Sequence, residues 1–168
     1  MGQQRAQADA SKRASANAFF NQIPWVADDV QWGRRDYWAT PIEMLGANGG
    51  DCEDYSIAKY LTLAQMQVPA GKLRITYVRA PRLRQAHMVL AYYESPNADP
   101  WILDNLESEI RRGSQRRDLT PVYSFNAAGL WKAKARGAGH RVGGARRLKL
   151  WSGLLSRLET QLRASSGS

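Results

Sequence analysis

The sequence predicts an α+β domain in which a helix packs on an antiparallel sheet. One segment, residues 52–66, repeats apolar side chains at helical spacing. Strand-like runs follow it and are separated by turn residues. These runs cover residues 73–78, 86–93 and 101–106. Their connections are too short for parallel crossovers, so the strands are expected to pair antiparallel. After them, residues 107–118 predict a charged loop and residues 121–131 a last core segment.

The helix over 52–66 has an apolar face and clear ends. Ile57 and Leu61 belong to one face at helical spacing. Asp51 is expected to cap its start, because Asp is among the preferred N-cap residues. Proline and glycine within residues 69–71 end it.

Two shorter helices precede this one. Residues 12–23 predict a helix that Pro24 ends. The second is expected to begin at Pro41, because proline suits the first helical position. Thr40 and Glu43 have the spacing of a capping box, which supports the same start.

Changes in composition divide the chain into five parts. They are a flexible N-terminal segment (1–16), a core domain (17–131), a basic Gly/Ala linker (132–147), an amphipathic helix (148–163) and a disordered tail (164–168). The C-terminal helix has an apolar stripe. It is expected to pack back on the domain, to self-associate, or to dock on an acidic partner or a membrane surface.

Most of the net charge of +9 lies in the C-terminal tail. Residues 132–168 hold nine Lys and Arg against one acid, so residues 1–131 carry a net charge of only +1. Residues 36–58 hold five acids and no Lys or Arg. The chain therefore has an acidic patch and a basic appendage, and the core lacks the charge typical of a nucleic-acid-binding module.

A single cysteine excludes an intramolecular disulfide and any multi-cysteine metal site. An unpaired thiol is compatible with either the cytosol or the periplasm. No apolar run reaches the length of a membrane span, and no apolar leader is visible at the start.

Three residue types in a workable order predict a Cys-His-Asp triad. Cys52 falls in the first turn of the main helix, where backbone N–H groups and the helix dipole favour a thiolate and could form an oxyanion hole. His87 opens a predicted strand and is the candidate base. Asp104 lies inside the apolar run WILDNL, where a carboxylate needs a partner, and would orient His87.

Each of these residues also has an ordinary structural explanation. A lone cysteine is often a buried apolar side chain, and a histidine at a strand edge is often on the surface. Asp104 beside Asn105 also fits a turn. The residues alone leave both explanations open, because such a constellation is defined by geometry. The other histidine, His140, lies in the Gly-rich tail.

Four segments closely resemble the bacterial transglutaminase-like cysteine proteinases of the LapG type. They read GGDCEDYSIAKYLTL, AHMVLAYY, LDNL and LTPVYSFNAAGLW, and the resemblance extends from Asn17 to Trp131. It implies a papain/transglutaminase-like fold with Cys52 as nucleophile, His87 as base and acid, and Asp104 as orienting residue. It also implies a calcium-dependent periplasmic endopeptidase that cuts the N-terminal region of a large surface adhesin, typically between two alanines. Such enzymes are sequestered by the periplasmic domain of an inner-membrane cyclic-di-GMP receptor.

The implied calcium ion gives the acids around Cys52 a role. Asp51, Glu53 and Asp54 offer the oxygen ligands that Ca²⁺ prefers, although their spacing is not that of an EF-hand. The alternative is that these acids cap the helix and complement its dipole. The lack of nearby basic residues and the resemblance favour calcium binding by Asp51 and Glu53, with Asp54 as the third candidate. A bound cation would also favour the Cys52 thiolate.

Two other functions remain open from the sequence. Transglutamination or deamidation would use the same triad for a different acyl transfer. A non-enzymatic binding module would use the basic tail to bind nucleic acid or a membrane, and its binding would be sensitive to salt.

Overall fold

The computed structural model describes residues 2–127, 129–132, 140–143 and 149–167, with side chains over 6–127 and 149–167. The helices are α1 (Gly2–Phe20), α2 (Asp28–Trp32), α3 (Pro41–Ala47), α4 (Cys52–Gln65) and α5 (Lys149–Ser166). The strands are β1 (Leu73–Ala80), β2 (Gln85–Tyr92), β3 (Trp101–Leu103), β4 (Arg111–Arg112), β5 (Thr120–Asn126), β6 (Gly129–Lys132) and β7 (His140–Gly143). Within these ranges no helix has the length and apolar character needed to cross a membrane.

One antiparallel sheet carries the domain, in the order β4-β3-β2-β1-β5-β6-β7. The predicted α+β class and antiparallel pairing are therefore confirmed. In the centre of the sheet, His87 of β2 pairs with Val78 of β1. On the other side of β2, Leu90 pairs with Leu103 of β3. This register leaves Asp104 just beyond the end of β3 and close to the start of β2.

Helix α4 packs on one face of this sheet and forms the core with it. Ile57 and Leu63 of α4 are fully buried against Ile75, Leu90 and Phe125 of the strands. Burial of apolar surface of this kind is the dominant favourable term in folding. It fixes the axis of α4, and with it the position of the residue at which α4 begins.

The starts of α3 and α4 are set by local hydrogen bonds. Thr40 Oγ1 accepts from the Glu43 amide at 3.1 Å, and Glu43 Oε2 accepts from the Thr40 amide at 2.9 Å, so the predicted capping box is confirmed. At α4, Asp51 is the N-cap residue, and its amide donates to Asp54 Oδ2 at 3.1 Å. A Cβ atom on Gly50 would lie 2.9 Å from Asp54 Cβ, which explains the glycine at this close approach.

The N-terminal segment is helical, so the prediction of a flexible segment over 1–16 was wrong. Helix α1 is held against the sheet by polar contacts: the Tyr92 hydroxyl donates to Asp9 Oδ2 at 2.8 Å. The guanidinium of Arg13 lies 3.9 Å from the centre of the Tyr92 ring. Asp9 and Arg13 are both buried. The helix predicted over 12–23 is therefore found as the second half of α1, which buries Ala16 and Phe20, and the helix begins ten residues earlier than predicted.

The C-terminal helix packs back onto the domain. Trp151 and Leu154 of α5 are buried in the main core, and the Trp151 ring packs edge-on against Phe125 with centroids 5.4 Å apart. The part of the apolar stripe formed by Trp151 and Leu154 is therefore buried within the chain, whereas Leu162 is exposed, and self-association through the helix stays a prediction. The helix also includes residues 164–166, which were predicted to be disordered.

Two segments predicted to be irregular contain short strands. The predicted linker over 132–147 contains β7, which pairs with β6, and the predicted loop over 107–118 contains β4 at the sheet edge. Backbone N–H and C=O groups make this pairing, so it does not require an apolar side-chain pattern. In contrast, β3 is three residues shorter than predicted, because the chain turns away at Asp104.

Candidate active site

Cys52 is the first residue of α4, where the predicted helix start placed it. The preceding residues are held by an extended segment: Trp25 forms a parallel bridge with Gly50, and the Val26 amide donates to the Gly50 carbonyl at 2.9 Å. The sulfur is partly buried. Its place at the helix start supplies free backbone N–H groups and the positive end of the helix dipole.

His87 and Asp104 form a buried pair. The His87 Nε2 to Asp104 Oδ1 distance is 2.7 Å, and the side chains are 3% and 1% exposed. The Leu106 amide donates to the same Asp104 oxygen at 3.0 Å. Burial alone would raise the pKa of Asp104, but the hydrogen bonds from His87, the Leu106 amide and Arg116 outweigh it and hold the pKa at about 2. Asp104 is therefore an ionised acceptor, and Nδ1 is the second nitrogen of the His87 ring.

Cys52 lies at the same end of β2 as His87. The backbone of Met88, the residue after His87, hydrogen-bonds the sulfur. The thiol itself donates to Glu53 Oε2 at 2.8 Å. Burial and the charge and hydrogen bond of Glu53 raise the pKa of the Cys52 thiol. The structure thus joins His87 to Asp104 directly and places the Cys52 sulfur against the backbone of Met88, with the protonated thiol hydrogen-bonded to Glu53.

Three carboxylates gather beside Cys52. Asp28, Asp51 and Asp54 each present an oxygen, and these oxygens lie within 4.8 Å of one another. The sequence singled out Asp51 and Asp54 but not Asp28. The bridge between Trp25 and the residue before Asp51 brings Asp28 to the site, and that long-range pairing leaves no local sequence signal.

The carboxylate cluster of Asp28, Asp51 and Asp54 has more negative charge than the described residues compensate. Burial, followed by the charge of Glu53, raises the pKa of Asp51 to about 10. Burial also raises the pKa of Asp54 to about 7 and that of Asp28 to about 6, although backbone hydrogen bonds oppose both shifts. Among the described residues, Asp28 Oδ1 and Asp51 Oδ1 are buried without a hydrogen-bond partner. Partnerless carboxylate oxygens that converge in this way suit a hard divalent cation such as Ca²⁺.

Glu53 is close both to this cluster and to the sulfur. Its charge raises the pKa values of Asp28, Asp51 and Asp54, so it is close to all three, but its Oε2 atom accepts the hydrogen bond of the Cys52 thiol. Its predicted role as a calcium ligand stays a prediction.

Two buried basic residues lie close to Asp104, and the sequence did not indicate either of them. Arg116 Nη2 donates to Asp104 Oδ2 at 2.8 Å. Lys59 of α4 is fully buried, and its Nζ donates to Asn21 Oδ1 at 2.7 Å. Burial lowers the pKa of Lys59 to about 7, although the charge of Asp104 opposes this shift. Both basic residues occur in charged or helical segments that gave no sign of burial.

The second histidine, His140, is part of β7, and its side chain lies outside the described side chains. The pair that the structure describes at the end of β2 is formed by His87.

Comparison with known families gives one match over most of the chain. The sequence model of a family described as bacterial transglutaminase-like cysteine proteinase matches residues 3–123. The matched segment includes Cys52, His87 and Asp104. None of the curated proteins compared with this chain matches it.

Solved structures of LapG from Legionella pneumophila are similar to this chain. The EGTA-treated form has a TM-score of 0.80 and 46% identity, covering 88% of this chain and 78% of that one. Another LapG structure has a TM-score of 0.79 and 45% identity, with 88% and 76% coverage. The calcium-bound form has a TM-score of 0.76 and 45% identity, with 89% and 80% coverage.

Proposed function

This chain belongs to the bacterial transglutaminase-like cysteine proteinases, and on that premise we propose that it is a calcium-dependent periplasmic endopeptidase with a Cys52-His87-Asp104 triad. Its substrate would be the N-terminal region of a large surface adhesin, cut between two alanines, so that the adhesin is released and biofilm attachment is controlled. The observation that carries the proposal is the buried His87–Asp104 pair at the end of β2, beside a cysteine at a helix start.

The proposed reaction begins with attack of the Cys52 thiolate on the scissile carbonyl carbon. Backbone N–H groups at the start of α4 stabilise the resulting oxyanion. His87 then protonates the leaving amine, and a thioester with Cys52 forms. Water activated by His87 hydrolyses the thioester and regenerates the thiol. Asp104 holds the imidazole in the tautomer with the proton on Nε2, so that Nδ1 exchanges protons with the sulfur and the substrate.

We assign the calcium site to Asp28, Asp51 and Asp54, with Glu53 as an additional ligand. The partnerless oxygens of Asp28 and Asp51 and the raised pKa values of the cluster support this assignment, because a cation would compensate charge that the described residues leave unpaired. When bound, the ion supplies positive charge that favours the thiolate of Cys52. The calcium-bound LapG structure supports the choice of metal.

The adhesin substrate, the periplasmic location and the regulatory partner are proposed from the family resemblance and the likeness to LapG. A protease that acts on a surface-retained adhesin must reach it outside the cytoplasm. The proposed regulator is the periplasmic domain of an inner-membrane cyclic-di-GMP receptor, which would bind the enzyme and withhold it from the adhesin.

Incubation with an adhesin N-terminal fragment that contains an Ala-Ala sequence tests the proposal. We expect wild-type protein with calcium to cut the fragment between the alanines, and chelator to stop the reaction. Cys52→Ala should abolish cleavage and keep the melting temperature. Cleavage that survives Cys52→Ala would refute the assignment of the nucleophile, and cleavage unaffected by chelator would refute the calcium requirement.

The product distinguishes proteolysis from the other acyl transfers on the same residues. A cut peptide bond identifies the protease, whereas an isopeptide bond or a new side-chain carboxylate identifies a transglutaminase or a deamidase. A non-enzymatic binding module would instead show salt-sensitive binding that survives Cys52→Ala and is lost with the basic tail.

A further inference from the structure

The two carboxylate oxygens of Asp104 have different partners. Oδ1 accepts hydrogen bonds from His87 Nε2 at 2.7 Å and from the Leu106 amide at 3.0 Å. Oδ2 accepts a hydrogen bond from Arg116 Nη2 at 2.8 Å. The carboxylate is 1% exposed, so water does not compete for these positions. Hydrogen bonds to both oxygens therefore fix the rotation of the carboxylate about the Cβ–Cγ bond.

Arg116 is itself held in place. Its side chain is 7% exposed and lies directly after a 3₁₀ turn over Gly113–Gln115. Its Nε and Nη2 atoms donate to the two carboxylate oxygens of Asp118 at 3.0 and 2.9 Å. A guanidinium with this planar fork can contact two carboxylates at once, and an ammonium cannot reproduce that geometry.

Several other charged groups surround the His87–Asp104 pair. On α4, Lys59 acts on Asp104 electrostatically, and its partner Asn21 donates from Nδ2 to the Asp104 carbonyl at 3.0 Å. Also on α4, Glu53 accepts a hydrogen bond from the Cys52 thiol. Asp118 is exposed and neutralises part of the Arg116 charge from outside. Among the described residues, the cation in direct contact with the Asp104 carboxylate is Arg116.

We propose that Arg116 is a positioning residue for the triad, which locks the Asp104 carboxylate onto His87 Nε2 and balances its charge. This inference rests on the proposed roles of His87 and Asp104. Fixing the carboxylate in this way fixes the orientation of the imidazole, whose Nε2 is bound to Asp104 and whose Nδ1 is left for the sulfur and the substrate. The positive charge of Arg116 also offsets part of the negative charge of Asp104. The carboxylate then attracts the imidazolium form of His87 less strongly, because a nearby cation opposes that form. His87 then remains able to release its proton to the leaving amine.

Two effects of substitution follow, and they differ between variants. In Arg116→Gln both the lock and the charge are lost. We expect kcat to fall about 10-fold or more, since general acid–base catalysis contributes about 10²–10⁴-fold in total. KM should stay unchanged, and the basic limb of the kcat/KM profile should move to higher pH. In Arg116→Lys the charge remains and the fork is lost, so kcat should fall while the basic limb stays at its wild-type position.

Arg117→Gln is the matched control, because Arg117 is the adjacent arginine and is exposed. It should keep the wild-type rate and pH profile. Melting temperatures of all variants separate loss of folded protein from loss of rate. A purely structural role for Arg116 predicts a lower melting temperature with an unchanged pH profile and an unchanged rate per folded molecule, and that result would overturn the inference.

A measurement without substrate separates this inference from the proposed function. The chain has two histidines, so the imidazole signals of His87 can be assigned by NMR against His140→Gln. In the Cys52→Ala background, the midpoint of the His87 titration should move to higher pH in Arg116→Gln and stay in place in Arg116→Lys and Arg117→Gln. An unmoved midpoint in Arg116→Gln would overturn the charge-balance role even if the adhesin is cleaved. A moved midpoint would support it even if the adhesin is not.

Discussion

Glu53 links the chemistry of Cys52 to the carboxylate cluster. The thiol donates to Glu53 Oε2 at 2.8 Å, and the same carboxylate raises the pKa of Asp51. A negative group that accepts a hydrogen bond from the protonated thiol opposes the thiolate that a cysteine protease needs. The described arrangement therefore corresponds to a resting state in which the sulfur is a protonated thiol. Compensation of the Glu53 charge would favour the thiolate.

We predict that calcium accelerates alkylation of Cys52 in chelated wild-type protein, because cation binding offsets the carboxylates that disfavour the thiolate. Glu53→Gln should alkylate faster than wild type in chelator, since the charged acceptor of the thiol proton is gone. Iodoacetamide labelling followed by mass spectrometry measures both rates. The control is Glu109→Gln, an exposed acid that should leave the rate unchanged. Equal rates with and without calcium would contradict the link between cation and sulfur.

The sequence singled out candidate residues that have local signals, whose catalytic roles stay a prediction, and it missed residues that reach the site by long-range contact. Cys52, His87 and Asp104 were each recognisable from neighbours: a helix start, a strand start and an acid within an apolar run. Asp28 reaches the cluster through the bridge at Trp25. Arg116 reaches Asp104 through a turn at the sheet edge, and no spacing rule connects those positions.

At the scale of elements, α5 holds the segment that leads into α3. Arg157 donates to the Trp38 carbonyl and to Glu43 Oε1, and Gln161 Nε2 donates to the same Glu43 oxygen at 3.0 Å. The residues on either side of Trp38 contact the cluster through their amides, Tyr37 to Asp28 and Ala39 to Asp54. Helix α5 therefore supports, through one segment, two of the three carboxylates of the cluster.

We predict that Arg157→Ala weakens calcium binding about 2- to 5-fold, which is the range expected for a partly exposed ion pair. The physical reason is that the segment around Trp38 loses one of its two anchors on α5. Isothermal titration calorimetry on chelated protein measures the affinity directly. Arg163→Ala is the matched control, because Arg163 is 79% exposed and pairs with Glu159 within the helix. An unchanged affinity in Arg157→Ala would show that α5 does not support the cluster.

The elements that the sequence predicted well are those with a clear local sequence pattern. The capping box of α3 and the apolar face of α4 are local patterns, and both were found where expected. The sequence predicted α1 only from residue 12, because its earlier part docks through the charged side chain of Asp9, and it missed β7, which pairs through its backbone. The missed elements are thus those whose stabilising contacts lie far away in the sequence.

For the whole molecule, the acidic patch and the basic tail meet within one chain. Glu43 belongs to the acidic stretch, and its partner Arg157 belongs to the basic one, with Nε and Oε1 3.3 Å apart. The Arg157 guanidinium also lies 4.8 Å from the centre of the Tyr37 ring. The charge asymmetry seen along the sequence is therefore partly compensated inside the fold, whereas the carboxylate cluster itself has no such basic partner among the described residues.

This uncompensated cluster predicts an unusual dependence of stability on pH in the metal-free protein. The folded-state pKa values of Asp28 and Asp54 are raised to about 6 and about 7 from an ordinary value of 3.8. At pH values between 3.8 and these raised pKa values the folded protein therefore binds more protons than the unfolded chain. The free energy of unfolding consequently falls as pH rises through this range. Asp104 contributes no slope there, because its pKa is about 2 and its stabilisation is complete above its ordinary value.

We therefore expect the melting temperature of chelated protein to fall between about pH 5 and pH 6.5, the interval in which Asp28 and Asp54 begin to ionise. Lys59 does not obscure this slope, because its folded-state pKa is about 7 and it is largely protonated in both states below that value. Calcium should raise the melting temperature more at pH 6.5 than at pH 5, since protons compete with the cation for the same oxygens. Asp28→Asn should flatten the slope, whereas Asp29→Asn, which changes the exposed neighbour, should preserve it. A metal-free melting temperature that rises steadily over this interval would mean that the three carboxylates are compensated by charge elsewhere in the protein.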